Sequence, residues 1–348
     1  MRYDLYVGTN SVRGSKGVYH ITLDGETGAM ELRETLPFYH SGYLLRSDDG
    51  ERLYVLSEGM TFRGAASGGV VSYDVSQGGF RELGSQLTHG QRPCQGALSA
   101  EGRTLYVGNF FAGTIAVLPV GEDGALLPAS HVISHTRTEV FRAGIHCVMP
   151  HPQGRCLAAI ELAHNAVNLY DPARDYEMVY SLELPQGIFP RHMVFSEDGR
   201  FLYLLSQEKS RVYVYAYCPD EPRQLREIQQ ISTLPERFGG RNEAAAIRLQ
   251  PGGELLVTSN RGVGDGERLD SLAVFRRHRD TGMLTLTQIQ PTRGQTPRDV
   301  QFTADGKWLV AALQASDTLE SYRVDTASGR ILLGAAGFPV PSPACVAR

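Results

Sequence analysis

A unit of about fifty residues recurs along this 348-residue chain, and it constrains the fold more than any other feature. Each copy contains a turn, a short apolar run, an acidic-Gly turn and a second run resembling Leu-Tyr-Val. The copies begin at or near Tyr43, Pro93, His146, Pro190, Glu243 and Pro297. A period of this length, built from short strands and turns, is typical of the blades of a β-propeller.

Each copy holds four strand-like runs, here called A to D from the inside outwards. Acidic-Gly pairs between A and B supply the positive φ that a tight hairpin turn needs. These pairs are Asp49-Gly50, Glu101-Gly102, Asp198-Gly199 and Asp305-Gly306. Run C alternates in polarity, and run D is more polar, as expected of an outer edge. In the copy that begins at Pro93, run D is predicted at Leu126–Ile133.

Counting the runs predicts how the ring closes. Runs C and D occur seven times, but complete A–B pairs occur only six times. The unpaired B run is Leu5–Thr9 at the N-terminus, and the unpaired A run is Pro343–Ala347 at the C-terminus. We therefore predict an all-β fold: a single seven-bladed β-propeller domain over residues 1–348, with four antiparallel strands per blade. The two chain ends share one blade, which leaves no open sheet edge.

Charge and composition narrow the range of partners. The formal net charge is −4, so the chain lacks the global basic field that nucleic-acid binding needs. No apolar stretch approaches the length of a membrane span, and no secretory h-region begins the chain. We expect no membrane or nucleic-acid partner, a cytoplasmic location, and a monomer or weak homodimer. The five cysteines lack CxxC spacing and are expected to be reduced and mostly buried.

Strand A starts and strand B ends on the same face, because the two run antiparallel around the Gly turn. Residues from every blade therefore converge on one mouth of the central channel. Those starting A runs are Arg92, His146, Arg191, His192, Asn242, Glu243, Arg298 and Asp299. Those ending B runs are Thr9, Asn10, Ser57, Glu58, Asn109, Phe110, Glu161, Ser206, Gln207, Glu208, Asn260, Arg261 and Gln314. Such a cluster of Arg, His, Glu and Asn suits a small anionic ligand.

Four segments carry a resemblance to a known family. They are PRHMVF at 190–195, TSNRG at 258–262, GQTPR at 294–298, and Arg92-Pro93-Cys94 together with Asn109. In this order they resemble the bacterial propeller-type 6-phosphogluconolactonase family. The fungal carboxymuconate-lactonizing enzymes belong to the same family, and their His-bearing segment is similar to Gly144-Ile145-His146.

The resemblance implies a lactone hydrolase and assigns roles to particular residues. Its functional residues match His146, Arg191 and Arg261, while its Glu falls on Gln207, with Glu208 next in the chain. His146 is expected to act as general base on a water, and the two arginines to hold the substrate anion and the developing oxyanion. The residues expected to be catalytic are His146, Arg191, Arg261 and Glu208. The residues expected to bind substrate are His192, Asn109, Gln207, Arg298 and Glu243.

Substrate and cofactor follow from the same resemblance. The expected substrate is a sugar-acid lactone, specifically 6-phosphogluconolactone of the pentose phosphate pathway. Because the family is metal-free, no metal and no cofactor are expected. Six-bladed lactonases of other families hold calcium with carboxylates and asparagines, and this mouth carries such residues. They are Glu58, Asn109, Glu161 and Asn260.

Other interpretations stay open at the level of sequence. The Gly-Ile-His likeness favours lactonization or isomerization of a muconate-type diacid, and the replacement of an acid by Gln207 favours a non-catalytic binding platform. A His at a strand start is often only structural, and arginines here are able to tie blades together through backbone carbonyls. The acidic residues Glu58, Glu161 and Glu208 are taken singly as solvated rim residues. The Gly-rich stretch 261–266 is interpreted as a long B–C loop over the mouth.

Overall fold

The computed structural model describes residues 1–134 and 144–348, which form seven four-stranded antiparallel sheets. The first three strands are β1 (Arg2–Thr9), β2 (Gly17–Asp24) and β3 (Met30–Pro37), which belong to blade 1. Blade 2 comprises β4 (Tyr43–Arg46), β5 (Arg52–Ser57), β6 (Gly69–Asp74) and β7 (Arg81–Leu87). Blade 3 comprises β8 (Pro93–Leu98), β9 (Thr104–Asn109), β10 (Thr114–Pro119) and β11 (His131–Ser134).

The remaining blades repeat this order from the inner to the outer strand. Blade 4 comprises β12 (Ile145–Pro150), β13 (Leu157–Glu161), β14 (Ala166–Asp171) and β15 (Glu177–Glu183). Blade 5 comprises β16 (Pro190–Phe195), β17 (Phe201–Ser206), β18 (Arg211–Tyr217) and β19 (Leu225–Ser232). Blade 6 comprises β20 (Arg241–Leu249), β21 (Leu255–Val263), β22 (Ser271–Arg277) and β23 (Leu284–Pro291). Blade 7 comprises β24 (Pro297–Phe302), β25 (Trp308–Leu313), β26 (Thr318–Asp325) and β27 (Arg330–Pro339), and β28 (Pro343–Ala347) completes blade 1.

The two chain ends close the ring, as the count of runs predicts. Strand β28 pairs antiparallel with β1, with Val346 opposite Val7. On its other sides β28 is tied to both neighbouring blades, since Leu44 N lies 3.5 Å from Cys345 Sγ and Val346 N donates to Asp299 Oδ2 at 3.0 Å. The seven-bladed architecture and the shared blade are therefore confirmed.

Burial explains why this sequence forms a ring of sheets. The described residues contain seven clusters of buried apolar side chains, one between each pair of neighbouring blades. Strand β17 is buried along its whole length, whereas the outer strand β3 is mostly exposed. Both faces of an inner strand are thus covered by adjacent blades, and each blade needs two neighbours to complete its core.

The turns on the face opposite the mouth follow the predicted pattern. Gly50, Gly102, Gly199 and Gly306 all have φ between 67° and 75°. Three of these turns contain the same side-chain hydrogen bond. In two of them, Ser196 Oγ donates to Asp198 Oδ1 at 2.5 Å, and Thr303 Oγ1 donates to Asp305 Oδ1 at 2.8 Å. In these turns the aspartate therefore fixes the turn that its glycine makes possible.

Two details differ from the sequence prediction. Strand β11 covers only His131–Ser134, because Leu126 forms just an isolated bridge with Val120. The Gly-rich stretch 261–266 is not all loop, since β21 continues to Val263 and pairs there with Arg241. Within residues 1–134 and 144–348 no helix is long and apolar enough to cross a membrane.

Candidate active site

The inner strands carry a β-bulge at their mouth ends, and the bulge residues form the centre of the site. In blade 5, Pro190 pairs with Ser206 and His192 pairs with Leu205, which leaves Arg191 as the extra residue. The same irregularity singles out Cys94 in blade 3, His146 in blade 4 and Arg298 in blade 7. A bulge re-aims the side chain of the extra residue. Equivalent positions of four blades therefore present a thiol, an imidazole and two guanidinium groups.

His146 lies among three arginines. Burial lowers the pKa of His146 well below its ordinary value of 6.5, and the positive charges of Arg191, Arg298 and Arg261 lower it further. Its Nδ1 is buried and has no hydrogen-bond partner among the described residues. The imidazole is consequently neutral near pH 7, with a nitrogen lone pair available to accept a proton.

Arg191 connects blade 5 to blade 6 and packs against a second histidine. Its Nη1 donates to the carbonyl oxygen of Ala245 and lies 3.3 Å from Nε2 of His192. The rings of His192 and His146 are 5.4 Å apart. Burial lowers the pKa of Arg191 well below 12.5, and so does the charge of Arg298. Arg191 thus ties blades together, yet it also belongs to the cluster of positive charges at the mouth.

Arg261 is paired with a carboxylate on the facing strand. Its Nη2 donates to Glu243 Oε2 at 3.1 Å, and its Nε donates to the Glu243 carbonyl oxygen at 3.2 Å. Gln207 Nε2 donates to the same Oε2 at 3.2 Å. The position where the family has an acid is therefore filled here by an amide that binds Glu243, so Glu243 is the carboxylate of this part of the mouth.

Arg298 differs from the other two channel arginines. Its side chain is partly buried, and its guanidinium makes no hydrogen bond or ion pair with any residue in the described part of the chain. Arg298 nevertheless interacts electrostatically with His146, Arg191 and Arg261. A cation that lies beside like charges and forms no ion pair with the described residues is a ready binding group for an anion.

Asn109 does not fit the predicted role in substrate binding. Its side chain is completely buried, and Nδ2 donates to the Thr88 carbonyl oxygen at 2.8 Å and to Thr114 Oγ1 at 3.0 Å. Asn260 occupies the same place in blade 6 and donates to the carbonyl oxygen of Thr233 at 2.8 Å. Both asparagines anchor the preceding D–A connection. The sequence could not separate this use from ligand binding, because an amide serves both.

Glu208 is not brought into the cluster. It is exposed in the turn after β17 and makes no hydrogen bond or ion pair with other described residues. Glu161, in contrast, is buried, where its carboxylate hydrogen-bonds to His164 Nδ1 at 2.7 Å and accepts from Asn168 Nδ2 at 3.0 Å. The interpretation of Glu161 as a solvated rim residue is therefore wrong.

Phe110 forms a wall of the site; the sequence interpretation placed it at the mouth but gave it no role. A Cβ on Gly144 would lie 3.0 Å from Cε2 of Phe110, so this ring fills the space that a side chain at 144 would need. Phe110 also packs edge-on against His146, with ring centroids 5.7 Å apart. An aromatic residue directly after a B strand that ends at the mouth is the sequence feature that could have indicated this wall.

The described residues contain no group of three or more His, Cys, Asp or Glu side chains placed to hold a metal ion. The amide oxygen of Asn260 already accepts a hydrogen bond from Thr233 Oγ1 at 2.6 Å. Among the four residues considered for calcium, Glu161 and Asn260 are thus engaged within the protein.

Comparison with known proteins gives a consistent picture. A family model described as "Lactonase, 7-bladed beta-propeller" matches residues 4–348. The 6-phosphogluconolactonase of Bacillus subtilis (strain 168) is 28% identical over 359 aligned positions, covering 99% of this chain and 98% of that relative.

Two solved structures are similar over nearly the whole chain. The Pseudomonas aeruginosa periplasmic gluconolactonase PpgL has a TM-score of 0.87 and 28% identity, covering 99% of this chain and 98% of its own. A putative 6-phosphogluconolactonase from Bacteroides fragilis has a TM-score of 0.84 and 27% identity, with 99% and 97% coverage. The similarity to these two structures, in fold and in sequence, therefore extends over 99% of this chain.

Proposed function

The chain belongs to the lactonase family of seven-bladed β-propellers, a family of lactone-hydrolysing enzymes, and we propose that its own substrate is an anionic sugar-acid lactone. The specific substrate proposed is 6-phosphogluconolactone, which would place the reaction in carbohydrate metabolism. The relatives named for phosphorylated and unphosphorylated gluconolactones support the substrate class. The cytoplasmic location and the monomeric or weakly dimeric state stay predictions.

The unpaired guanidinium of Arg298 is the observation that carries the proposal of an anionic substrate. Arg191 donates to a backbone carbonyl and Arg261 is paired with Glu243, whereas Arg298 has no partner among described residues. An anion bound here gains charge-assisted hydrogen bonds and relieves the repulsion among the three cations. A phosphate or carboxylate offers the planar or bidentate acceptor that arginine prefers.

His146 is the proposed general base. A water between its imidazole and the lactone carbonyl carbon loses a proton to the ring as its oxygen bonds to carbon. The neutral form needed for this step is the form that burial and the arginines favour. General base catalysis of this kind contributes roughly 10²–10⁴ in rate.

The positive field then stabilises the tetrahedral intermediate. Arg191 keeps guanidinium N–H groups beyond the one bound to Ala245, and it lies on the same side as His146. Donors aimed at a developing oxyanion contribute roughly 10²–10³ each. The second arginine of this field is Arg261, held in place by Glu243.

A lactonase assay with two matched substrates tests the proposal. We expect the purified protein to hydrolyse both glucono-δ-lactone and 6-phosphogluconolactone above the spontaneous rate, with a higher kcat/KM for the phosphorylated compound. Parallel assays with and without chelator are expected to agree. A protein that accelerates neither lactone, or one that prefers the unphosphorylated compound, contradicts the proposed substrate.

A further inference from the structure

Glu58 is a carboxylic acid in the channel that the proposed mechanism does not use. It directly follows β5, and its backbone N donates to the carbonyl oxygen of His40 at 2.9 Å. Part of its surface is accessible to water, but protein atoms surround the carboxyl group on nearly every side. No N–H or O–H group in the described part of the chain donates a hydrogen bond to its carboxyl oxygens. Glu58 is therefore only partly exposed, and it is not the fully solvated rim residue that the sequence interpretation described.

A glycine makes room for this carboxyl group. A Cβ on Gly42 would lie 2.2 Å from Oε1 of Glu58 and 2.4 Å from its Cδ. The third of the nearest atoms is Oε2 of the same carboxyl group, at 2.8 Å. The absence of a side chain at position 42 therefore allows the carboxyl to stay where it is.

Charged groups from several blades face Glu58. Arg298 of β24, Arg92 before β8 and Arg191 of β16 act on it electrostatically, and the thiol of Cys94 on β8 lies near it. The remaining titratable neighbour is His40, whose pKa is lowered by burial and by Arg92.

Burial outweighs these positive charges. It raises the pKa of Glu58 to about 7, while Arg298 and the other arginines lower it. A substrate anion on Arg298 would cancel part of this positive field, and the carboxyl would then hold its proton more strongly. Glu58 is thus a proton donor in the complex rather than a fixed negative charge.

The chemistry of a lactone leaves a place for such a donor. When the tetrahedral intermediate collapses, the bond from carbon to the ring oxygen breaks, and an alkoxide leaves. An alkoxide is strongly basic, so its departure is much easier when a proton arrives as the bond breaks. Glu58 directly follows β5 and His146 stands at the start of β12, so both lie at the mouth end of a blade, and Arg191 and Arg298 act electrostatically on each of them.

We propose that Glu58 is a further catalytic residue, the general acid that protonates the departing ring oxygen. This inference rests on the proposed lactone hydrolysis. The water oxygen bonds to the carbonyl carbon and gives one proton to His146. The bond from carbon to ring oxygen then breaks, and that oxygen takes the proton of Glu58. Imidazolium His146 returns a proton to carboxylate Glu58 through solvent, and the open hydroxy acid leaves.

The test is Glu58→Gln, which keeps the shape of the side chain and removes the transferable proton. We expect kcat on 6-phosphogluconolactone and glucono-δ-lactone to fall about 100-fold or more, with KM changed less than about threefold. Between pH 5 and 8.5, kcat of the wild type falls as the pH rises through the pKa of Glu58, and this alkaline limb is absent from the variant. Glu236→Gln, an exposed carboxylate on a mouth-side connection, is the matched control and keeps wild-type kcat.

Gly42→Ala provides a second variant that changes no charge. Its methyl group displaces the carboxyl of Glu58, and the flexible side chain absorbs the overlap, so we expect a folded protein with kcat lowered about tenfold or more. Thermal unfolding of both variants establishes that they are folded.

Each outcome decides the matter. A Glu58→Gln variant with kcat within about threefold of wild type, or one that keeps the alkaline limb, overturns the proposal while lactone hydrolysis stands. A variant in which KM rises and kcat is unchanged shows that Glu58 only positions the arginines, which also overturns it. A wild-type protein without lactonase activity removes the proposed function itself.

Discussion

The two ends of the A–B hairpins differ in how far their residue types repeat from blade to blade. At the turn end, blades 2, 5 and 7 repeat the same chemistry: a Ser or Thr hydroxyl, an aspartate acceptor and a Gly with positive φ, as in Ser196, Asp198 and Gly199. At the mouth end, equivalent bulge positions carry different groups, such as His146 in blade 4 and Arg191 in blade 5. Repetition marks the end that holds the fold together, and divergence marks the end that performs chemistry.

The contrast is also electrostatic. At the turn end, charges are compensated close by, as where Arg200 pairs with Asp198 at 2.8 Å. At the mouth, three arginines act on His146, and one of them, Arg298, forms no ion pair with the described residues. Paired charges stabilise a turn, whereas the cluster of arginines at the mouth favours the binding of an anionic ligand.

The largest expected effect is at the mouth. His146→Ala removes the proposed base, so we expect kcat on 6-phosphogluconolactone to fall about 10²–10⁴-fold, while the melting temperature stays close to that of wild type. His278→Ala, an exposed histidine at the opposite end of the blades, is the control and is expected to retain full activity. A folded His146→Ala variant with normal turnover would remove the base from the mechanism.

The next effect separates substrates. Arg298→Ala removes a charge-assisted hydrogen bond to the anion, worth about 1.5–3 kcal/mol, so kcat/KM for 6-phosphogluconolactone should fall about 10- to 100-fold. The value for glucono-δ-lactone should change far less, because that substrate carries no phosphate. Steady-state kinetics on both compounds measure the ratio. An equal loss on both would assign Arg298 to the reaction centre instead.

The turn end is expected to affect stability and not turnover. Gly199→Ala forces a positive φ of 70° on Ala and places its Cβ 2.2 Å from Nε2 of His151. Gly102→Ala has the same strain with no atom within 4 Å, so it isolates the backbone cost of about 1–2 kcal/mol. Thermal unfolding should show the larger loss for Gly199→Ala, with kcat/KM of both variants within about twofold of wild type. A turnover defect in a folded turn variant would break the division between the two ends.

The smallest expected effect is a shift in pH dependence. His146 must be unprotonated to act as a base, and its pKa lies well below 6.5, so the acid limb of kcat/KM should appear only well below pH 6.5. Removing a positive neighbour makes protonation easier, so Arg298→Ala should move this acid limb to higher pH. Arg226→Ala, an exposed arginine on β19, is the control. An unmoved limb would show that another group controls it.

The sequence was sufficient to predict those features of the fold that depend on the repeat and on the order of the strands. The seven-bladed ring, the blade shared by Leu5–Thr9 and Pro343–Ala347, and the glycine turns were all predictable from period and polarity. The site was predictable only as a set of positions. Asn109 and Arg298 both stand at the mouth end of an inner strand pair, but one is sealed into a backbone anchor and the other is left unpaired.

The sequence pattern does not predict which side chains of different blades form hydrogen bonds with each other. Gln207 stands where the family has an acid, and only the fold shows that it reaches Glu243 of the next blade, which also holds Arg261. The sequence predicts Glu58 to be a surface residue, since a single Glu after a strand is usually solvated. Its carboxyl has room because position 42 is Gly, and the arginines that act on it come from β16, β24 and the segment before β8, which are far apart in the chain.

The amino-acid sequence by itself determined the number of blades, the closure of the ring and the face on which the varied polar residues collect. These depend on strand alternation and turn chemistry, which act between neighbours in the chain. Only the tertiary structure decided which of those polar groups are paired, which are buried and which remain free. Hydrogen-bond partners and desolvation arise from contacts across blades, and they set the charge state of His146 and Glu58.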